Sequence, residues 1–267
     1  MDISRAELRT EGFRQVTDFT ANIDNPKYNL REYELDSEMG ETYTYAVEGE
    51  LISILVIEGL LQVADSRGGQ SQVAGVEEGF HLKKLTNFKL KALDSKVRFL
   101  VAAAKAIDLR PIPSSQITSQ FELLPLSSYK ITKPWGWERW YTENVSSNLP
   151  FALKMIFMEK GKQSSLQSHA QKSETNYVIE GMAKVLFGMI APDDVTEKID
   201  VSKLTAKIYE PGQGWSNVVK ELHRVIAHES YKAVEVSTPE LDDVIRWADD
   251  ANRTHGRIDL EHPGTST

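Results

Sequence analysis

The 267-residue chain contains no cysteine, which excludes disulfide frameworks and thiolate metal sites. It has no apolar run long enough to cross a bilayer. The longest near the amino terminus, LISILVI at 51–57, is far too short, and MDISRAELRTEGF at 1–13 has no apolar signal-peptide core. A basic excess is also missing: 31 Lys and Arg against 39 Asp and Glu give a formal net charge of −8, which argues against nucleic acid as a partner. These absences together predict a soluble, cytoplasmic protein that engages neither nucleic acid nor membrane. A small anionic substrate stays compatible, because local field rather than net charge decides that.

Helical periodicity is scarce as well. Most of the chain reads as short runs of alternating apolar and polar residues broken by Gly, Pro, Asn and Ser, the mark of a β sandwich or barrel. The length allows one large or two ordinary domains. LVIEGLLQV at 55–63 and YVIEGMAKV at 177–185 share V-I-E-G followed by an alternating strand, and each is followed by a Gly-containing acidic turn, VEEGF at 76–80 and YEPGQGW at 209–215. The pattern predicts two copies of one β module. The Pro- and Ser-rich stretch around 108–120 reads as a linker. The expected boundaries are therefore a first domain at 1–107, a linker at 108–126, a second domain at 127–257 and a flexible tail at 258–267. In TPELDDVIRWADDANR (238–253), Thr then Pro, acidic residues and a set of apolar positions predict a capped carboxy-terminal helix. His255 and His262, among the last residues HGRIDLEHPGTST, are candidates for adventitious metal binding.

The stretch Gly161 to Gly181, GKQSSLQSHAQKSETNYVIEG, carries the densest chemistry. Gln167 and His169 are two apart and project to one face of a strand. Glu174 lies past a short turn, where a returning strand can present it to the same point. With His223 downstream in ELHRV, two imidazoles, a carboxylate and an amide oxygen compose a four-ligand site for a divalent cation.

The spacing G-x5-Q-x-H-x4-E-x6-G, anchored at Gly161, Gln167, His169, Glu174 and Gly181, resembles the first cupin motif with Gln in place of the usual first His. That replacement, behind SLQ at 165–167, is similar to the type II mannose-6-phosphate isomerase branch of the cupins. KPWGWERW (133–140) resembles that branch's opening strand, FALKMIFMEKG (151–161) its strand into the metal loop, and ELDDVIRWADDANR (240–253) its closing acidic segment. The resemblance spans about residues 128–257. It implies an all-β bicupin: two jelly-roll β-barrel domains in tandem with a short carboxy-terminal helix. The first half has only His81, so its barrel is expected to be metal-free and structural, a packing or dimerisation partner.

The sequence departs from the family where His223 follows Pro211 by twelve residues rather than a few, and where RVIAH replaces the usual nearby Asn. His228 is therefore the alternative fourth ligand, on the opposite strand face. The resemblance implies a metal-dependent aldose–ketose isomerase acting on a sugar phosphate. Zinc is the expected ion, with manganese, iron, cobalt and nickel as alternatives. Lys154 and Arg246 are the expected catalytic or substrate contacts, Arg253 a weaker one, and Glu235 or a metal-bound hydroxide the candidate base. The structural alternatives are a solvated strand lysine for Lys154 and a surface ion pair of Arg246 with Asp249. Trp215, beside glycines, is a candidate pocket wall. The rival functions are a non-catalytic or regulatory sugar-binding bicupin and another cupin enzyme, an epimerase or oxygenase. A homodimer is compatible with this reading, and the sequence does not give the oligomeric state.

Overall fold

The computed structural model describes residues 2–3, 6–8, 12–21, 23, 27–39, 44–47, 51–67, 69–83, 86–105, 109–116, 123–142, 150–240, 243–251, 253 and 256–258. His255, His262 and nearly all of the expected tail lie outside them. The described elements are strands and three short 3-10 turns, and no helix among them is long and apolar enough to cross a membrane. The chain divides into two compact units, Ser4–Ser127 and Ser128–Thr267, the second joined by Met1–Ile3.

The first unit pairs a seven-stranded with a five-stranded antiparallel sheet. The larger runs Ala6–Leu8, Gln15–Asp18, Asn29–Asp36, Lys96–Ala103, Leu51–Glu58, Gly79–Lys83, Leu123–Pro125. The smaller runs Arg110–Pro111, Thr44–Val47, Thr86–Ala92, Leu61–Asp65, Ser71–Ala74. Alternating side chains of both sheets, among them Ile54, Val56, Leu61, Phe80, Phe88 and Phe99, meet in one buried core. The stretch read as a linker is not bare: Arg110–Pro111 and Leu123–Pro125 pair into these two sheets, because each offers backbone donors and acceptors to an otherwise open strand edge.

The second unit repeats the plan. One sheet runs Tyr129–Lys133, Gly136–Trp140, Ala152–Met158, Tyr231–Ser237, Glu174–Glu180, Gly214–Asn217. The other runs Thr205–Tyr209, Ala183–Ile190, Glu221–Ala227, Leu166–Ser168, Val244–Ala248, Gly256–Ile258. Strand for strand, Asn29–Asp36, Lys96–Ala103, Leu51–Glu58 and Gly79–Lys83 correspond to Ala152–Met158, Tyr231–Ser237, Glu174–Glu180 and Gly214–Asn217. The V-I-E-G repeats occupy matching turns that carry the chain from one sheet to the other, their glycines at φ +76° (Gly59) and +70° (Gly181). At Gly181 a Cβ would also stand 2.0 Å from the Ser230 carbonyl oxygen, so both conformation and space require glycine. This is the double jelly-roll plan the sequence predicts.

The carboxy-terminal helix is corrected. Within 238–253 the ordered element is the strand Val244–Ala248, paired with Leu166–Ser168 on one side and Gly256–Ile258 on the other. Two ladder neighbours outweigh a helix-start signature whose apolar positions suit either period. Val244 and Trp247 are buried there, Trp247 against the cluster of Leu166, Leu204 and Leu222.

Candidate metal centre

Strand pairing brings the motif residues together. Leu166–Ser168 lies between the strands of His223 and Arg246, with Gln167 directly opposite both residues. His169 follows that strand immediately. Glu174 opens Glu174–Glu180 in the other sheet of the same barrel, so the carboxylate approaches the imidazoles from the facing layer. His169, Glu174 and His223 are each at most 4 % exposed, and one ligand atom from each lies within 4.8 Å of the others.

The hydrogen bonds fix which nitrogens point inward. His169 Nδ1 donates to the Asp243 carbonyl oxygen at 2.6 Å, and His223 Nδ1 donates to the Glu221 carbonyl oxygen at 3.1 Å. Each Nε2 lone pair then faces Glu174: His169 Nε2 is 3.6 Å from Oε2 and His223 Nε2 3.4 Å from Oε1. Burial, then the positive charge of Lys172, pushes the His169 pKa down to about 3, so the ring is neutral. Buried His169 Nε2 has no hydrogen-bond partner. A bare lone pair facing a buried carboxylate across a short gap is the arrangement a cation resolves, and backbone carbonyls behind both rings orient them as metal ligands require. The donor set therefore fits a divalent metal. Gln167 sits beside it with Nε2 3.2 Å from His223 Nε2, while its Oε1 accepts from Ser165 Oγ at 3.0 Å. Ligation by Gln167 requires its amide to turn over, exchanging oxygen and nitrogen.

A ladder of buried charges leads away from Glu174. Lys172 Nζ donates to Glu174 Oε2 at 2.7 Å and to Glu235 Oε1 at 2.8 Å. Glu235 Oε2 meets Lys154 Nζ at 3.2 Å, and Lys154 reaches Glu138 Oε1 at 3.2 Å. Lys133 lies 3.5 Å from Glu138 Oε2. For Glu174, burial pushes the pKa up, but Lys172 and then the imidazoles hold it well below the usual range. Burial and the charge of Glu174 raise Glu235 despite Lys154 and Lys172. Burial opposes the Lys154 charge, yet Glu138 and Glu235 raise its pKa overall. Burial followed by the charge of Glu235 also raises Tyr231, which keeps its proton.

Of the expected contacts, Lys154 lines the cavity with Gln167, His169, Glu174 and His223. Arg246 is buried opposite Gln167 but does not line that cavity, whereas Arg253 does. Asp249 pairs with Arg253, its Oδ1 2.6 Å from Nη2, just past the strand Val244–Ala248 rather than on a helix. His228 is exposed just beyond the strand that carries His223. Trp215 is buried in the barrel core 5.1 Å from Tyr209 (ring centroids), so Trp135 and Trp140 form the cavity's indole walls in its place. Sequence reasoning missed Lys172 and Asp243. Asp243 Oδ2 accepts from the Gln171 and Lys172 amides at 2.5 and 2.8 Å, which pins the loop between His169 and Glu174. The available signal was the even spacing of Lys172 and Glu174, which sets both on one face of an extended segment.

The cavity measures about 70 Å³. Among the described residues, His169, Glu174 and His223 form the one group of three such ligands, and His81 of the first unit is instead hydrogen-bonded to Ser53 Oγ at 2.9 Å.

No protein-family model matches the sequence, and no curated protein sequence matches it. Solved structures do match in fold. Oxalate decarboxylase of Bacillus subtilis, described with Mn(II) centres, is 14% identical with a TM-score of 0.60, covering 91% of this chain and 77% of that one. A Lactobacillus farciminis oxalate decarboxylase in a formate complex gives 14% identity, a TM-score of 0.60 and coverage of 91% and 86%. An 11S globulin from Wrightia tinctoria, with an auxin binding site, gives 8% identity, a TM-score of 0.65 and coverage of 92% and 85%. At such identities the likeness is one of fold, the two-barrel cupin fold, which carries both enzymes and a storage globulin.

Proposed function

We propose that this bicupin is a metal-dependent isomerase of the aldose–ketose class, holding a divalent cation with His169, Glu174, His223 and a turned-over Gln167 and working on the carbonyl end of a sugar or sugar phosphate. The observation that carries the reading is the pairing of that ligand set with a buried carboxyl of raised pKa, Glu235, in one cavity. The bound cation supplies Lewis acidity toward adjacent carbonyl and hydroxyl oxygens of a substrate. Zinc is compatible with the mixed nitrogen and oxygen donors, and so is manganese, the metal described in the Bacillus subtilis decarboxylase.

The protein's own groups account for the proton movement. Glu235 is the base that takes a proton from the carbon next to the carbonyl and returns it to the neighbouring carbon, a role suited by a carboxyl whose pKa lies above the usual range. Lys154 and Lys172 hold its two oxygens, so its orientation is set before substrate arrives. Trp135, Trp140, Ile156 and Met158 give the cavity an apolar wall that limits water. Arg253, with a side chain 24 % exposed, is the most accessible cation on the lining and the contact for a phosphate too large for the inner space.

The test follows the carbon-bound proton. Mannose 6-phosphate, fructose 6-phosphate and a panel of other aldose and ketose phosphates are incubated with metal-loaded protein in D₂O. Metal-dependent deuterium incorporation at C2 supports the reading, and no exchange and no turnover with any of them contradicts it. A second reading, a sugar-binding protein without turnover, is favoured by the saturation of Lys154 and Lys172 by carboxylates at 2.7–3.2 Å. Saturable sugar binding without exchange would select it.

A further inference from the structure

We propose that Lys172 is a built-in competitor for the carboxylate ligand of the metal centre and sets how tightly that centre holds a divalent cation. This rests on the metal reading of His169, Glu174 and His223. Lys172 Nζ lies 2.7 Å from Glu174 Oε2, the same oxygen that faces His169 Nε2 at 3.6 Å. Its side chain is only 7 % exposed, and its amide is tied to Asp243 Oδ2 at 2.8 Å, so the segment that carries the ammonium is held in place. The other oxygen of Glu174 shows the contrast: Oε1 accepts from the neutral Asn217 Nδ2 at 2.9 Å. An amide orients a carboxylate ligand without adding charge. An ammonium in the same role brings a full positive charge beside an incoming dication, where low dielectric strengthens the repulsion.

The charge count points the same way. Glu138, Glu174 and Glu235 line the cavity together with the ammoniums Lys154 and Lys172, and each of these two lysines bridges two of the three carboxylates. The cation therefore meets a ligand carboxylate whose charge is already compensated. Glu235 moderates this by holding the Lys172 ammonium with a second carboxylate, Oε1 at 2.8 Å. Removing the ammonium should tighten metal binding, and removing the charge of Glu235 should loosen it. A merely structural role for the ladder predicts loosening in both cases.

The experiment is calorimetric titration of the full chain with Mn²⁺, comparing wild type, Lys172→Met, Lys172→Arg, Glu235→Gln and His169→Ala. Lys172→Met is expected to bind about tenfold tighter or more, Lys172→Arg to stay near wild type, and Glu235→Gln to bind more weakly. Equal or weaker binding by Lys172→Met overturns the proposal. Should Lys172→Met fail to fold, Lys172→Gln, which removes the ammonium but keeps a polar side chain, decides: tighter binding than wild type supports the competitor role, and equal or weaker binding overturns it. Wild type that takes up no Mn²⁺, or takes it up equally after His169→Ala, overturns this proposal together with the metal reading. Wild-type uptake that is lost in His169→Ala, with no tightening in Lys172→Met, overturns this proposal alone.

Discussion

His169 Nε2 stands 3.6 Å from Glu174 Oε2 and has no hydrogen-bond partner, although both side chains are buried. Two electron-rich atoms facing each other at a buried site are unfavourable unless something positive joins them. Most expectations for this protein turn on that gap.

The first is pH dependence without metal. The folded His169 pKa is about 3 against an ordinary 6.5, so between these values the unfolded chain binds the extra proton. Acidification in that window therefore favours unfolding. The contribution of His169 is complete above pH 6.5 and is lost at up to about 1.4 kcal/mol per pH unit as pH falls toward 3. Glu174, whose folded pKa is depressed, adds a further loss once pH drops below its ordinary 4.5. Urea melts of metal-free protein across pH 7 to 4 should show this slope, and His169→Gln should flatten it.

Asp243 holds the ligand loop. Its side chain accepts two backbone amides, and its carbonyl accepts His169 Nδ1–H. Asp243→Ala leaves two amides short of a partner and should cost about 1–3 kcal/mol of stability. Because the loop also orients His169, metal affinity should fall roughly 10- to 100-fold. Thermal melts and metal titration on the same sample check both.

Glycine at 181 is required by two independent constraints, a φ of +70° and the 2.0 Å approach of a Cβ to the Ser230 carbonyl oxygen. At Gly161, with φ +77°, a Cβ meets open space. Gly181→Ala should therefore destabilise well beyond Gly161→Ala, whose cost is the conformational one of about 1–3 kcal/mol. Denaturant midpoints of the two variants give the comparison.

Glu235 is assigned the proton transfer. At saturating metal, Glu235→Gln should lower kcat by roughly 10²- to 10⁴-fold on any substrate that wild type turns over. Steady-state kinetics with bound metal quantified in the same preparation separate this from a loss of the ion.

The double barrel and the loop that brings His169 and Glu174 together were legible because they rest on local pattern. The V-I-E-G repeats mark matching sheet-to-sheet turns, Gln167 and Glu174 lie on short strands, and His169 directly follows the strand of Gln167. The pairing of His223 with Gln167 survived the long insertion after Pro211, because cross-strand register rather than spacing sets it. What was illegible depends on distant partners. Lys172 owes its role to Glu235, 63 residues away, and Asp243 to amides more than 70 residues earlier. The stretch around Trp247 carries a helix-start signature, yet becomes a strand because Leu166–Ser168 offers it a ladder. Nothing in 238–253 alone states that such a partner exists.

The most direct test of the central claim is the metal content of purified protein, wild type beside His169→Ala, by elemental analysis after equilibration with a divalent ion. About one ion per chain in wild type and almost none in the variant is the predicted result, as a single centre of His169, Glu174 and His223 requires. Equal content in the two proteins, or no ion in either, would contradict it.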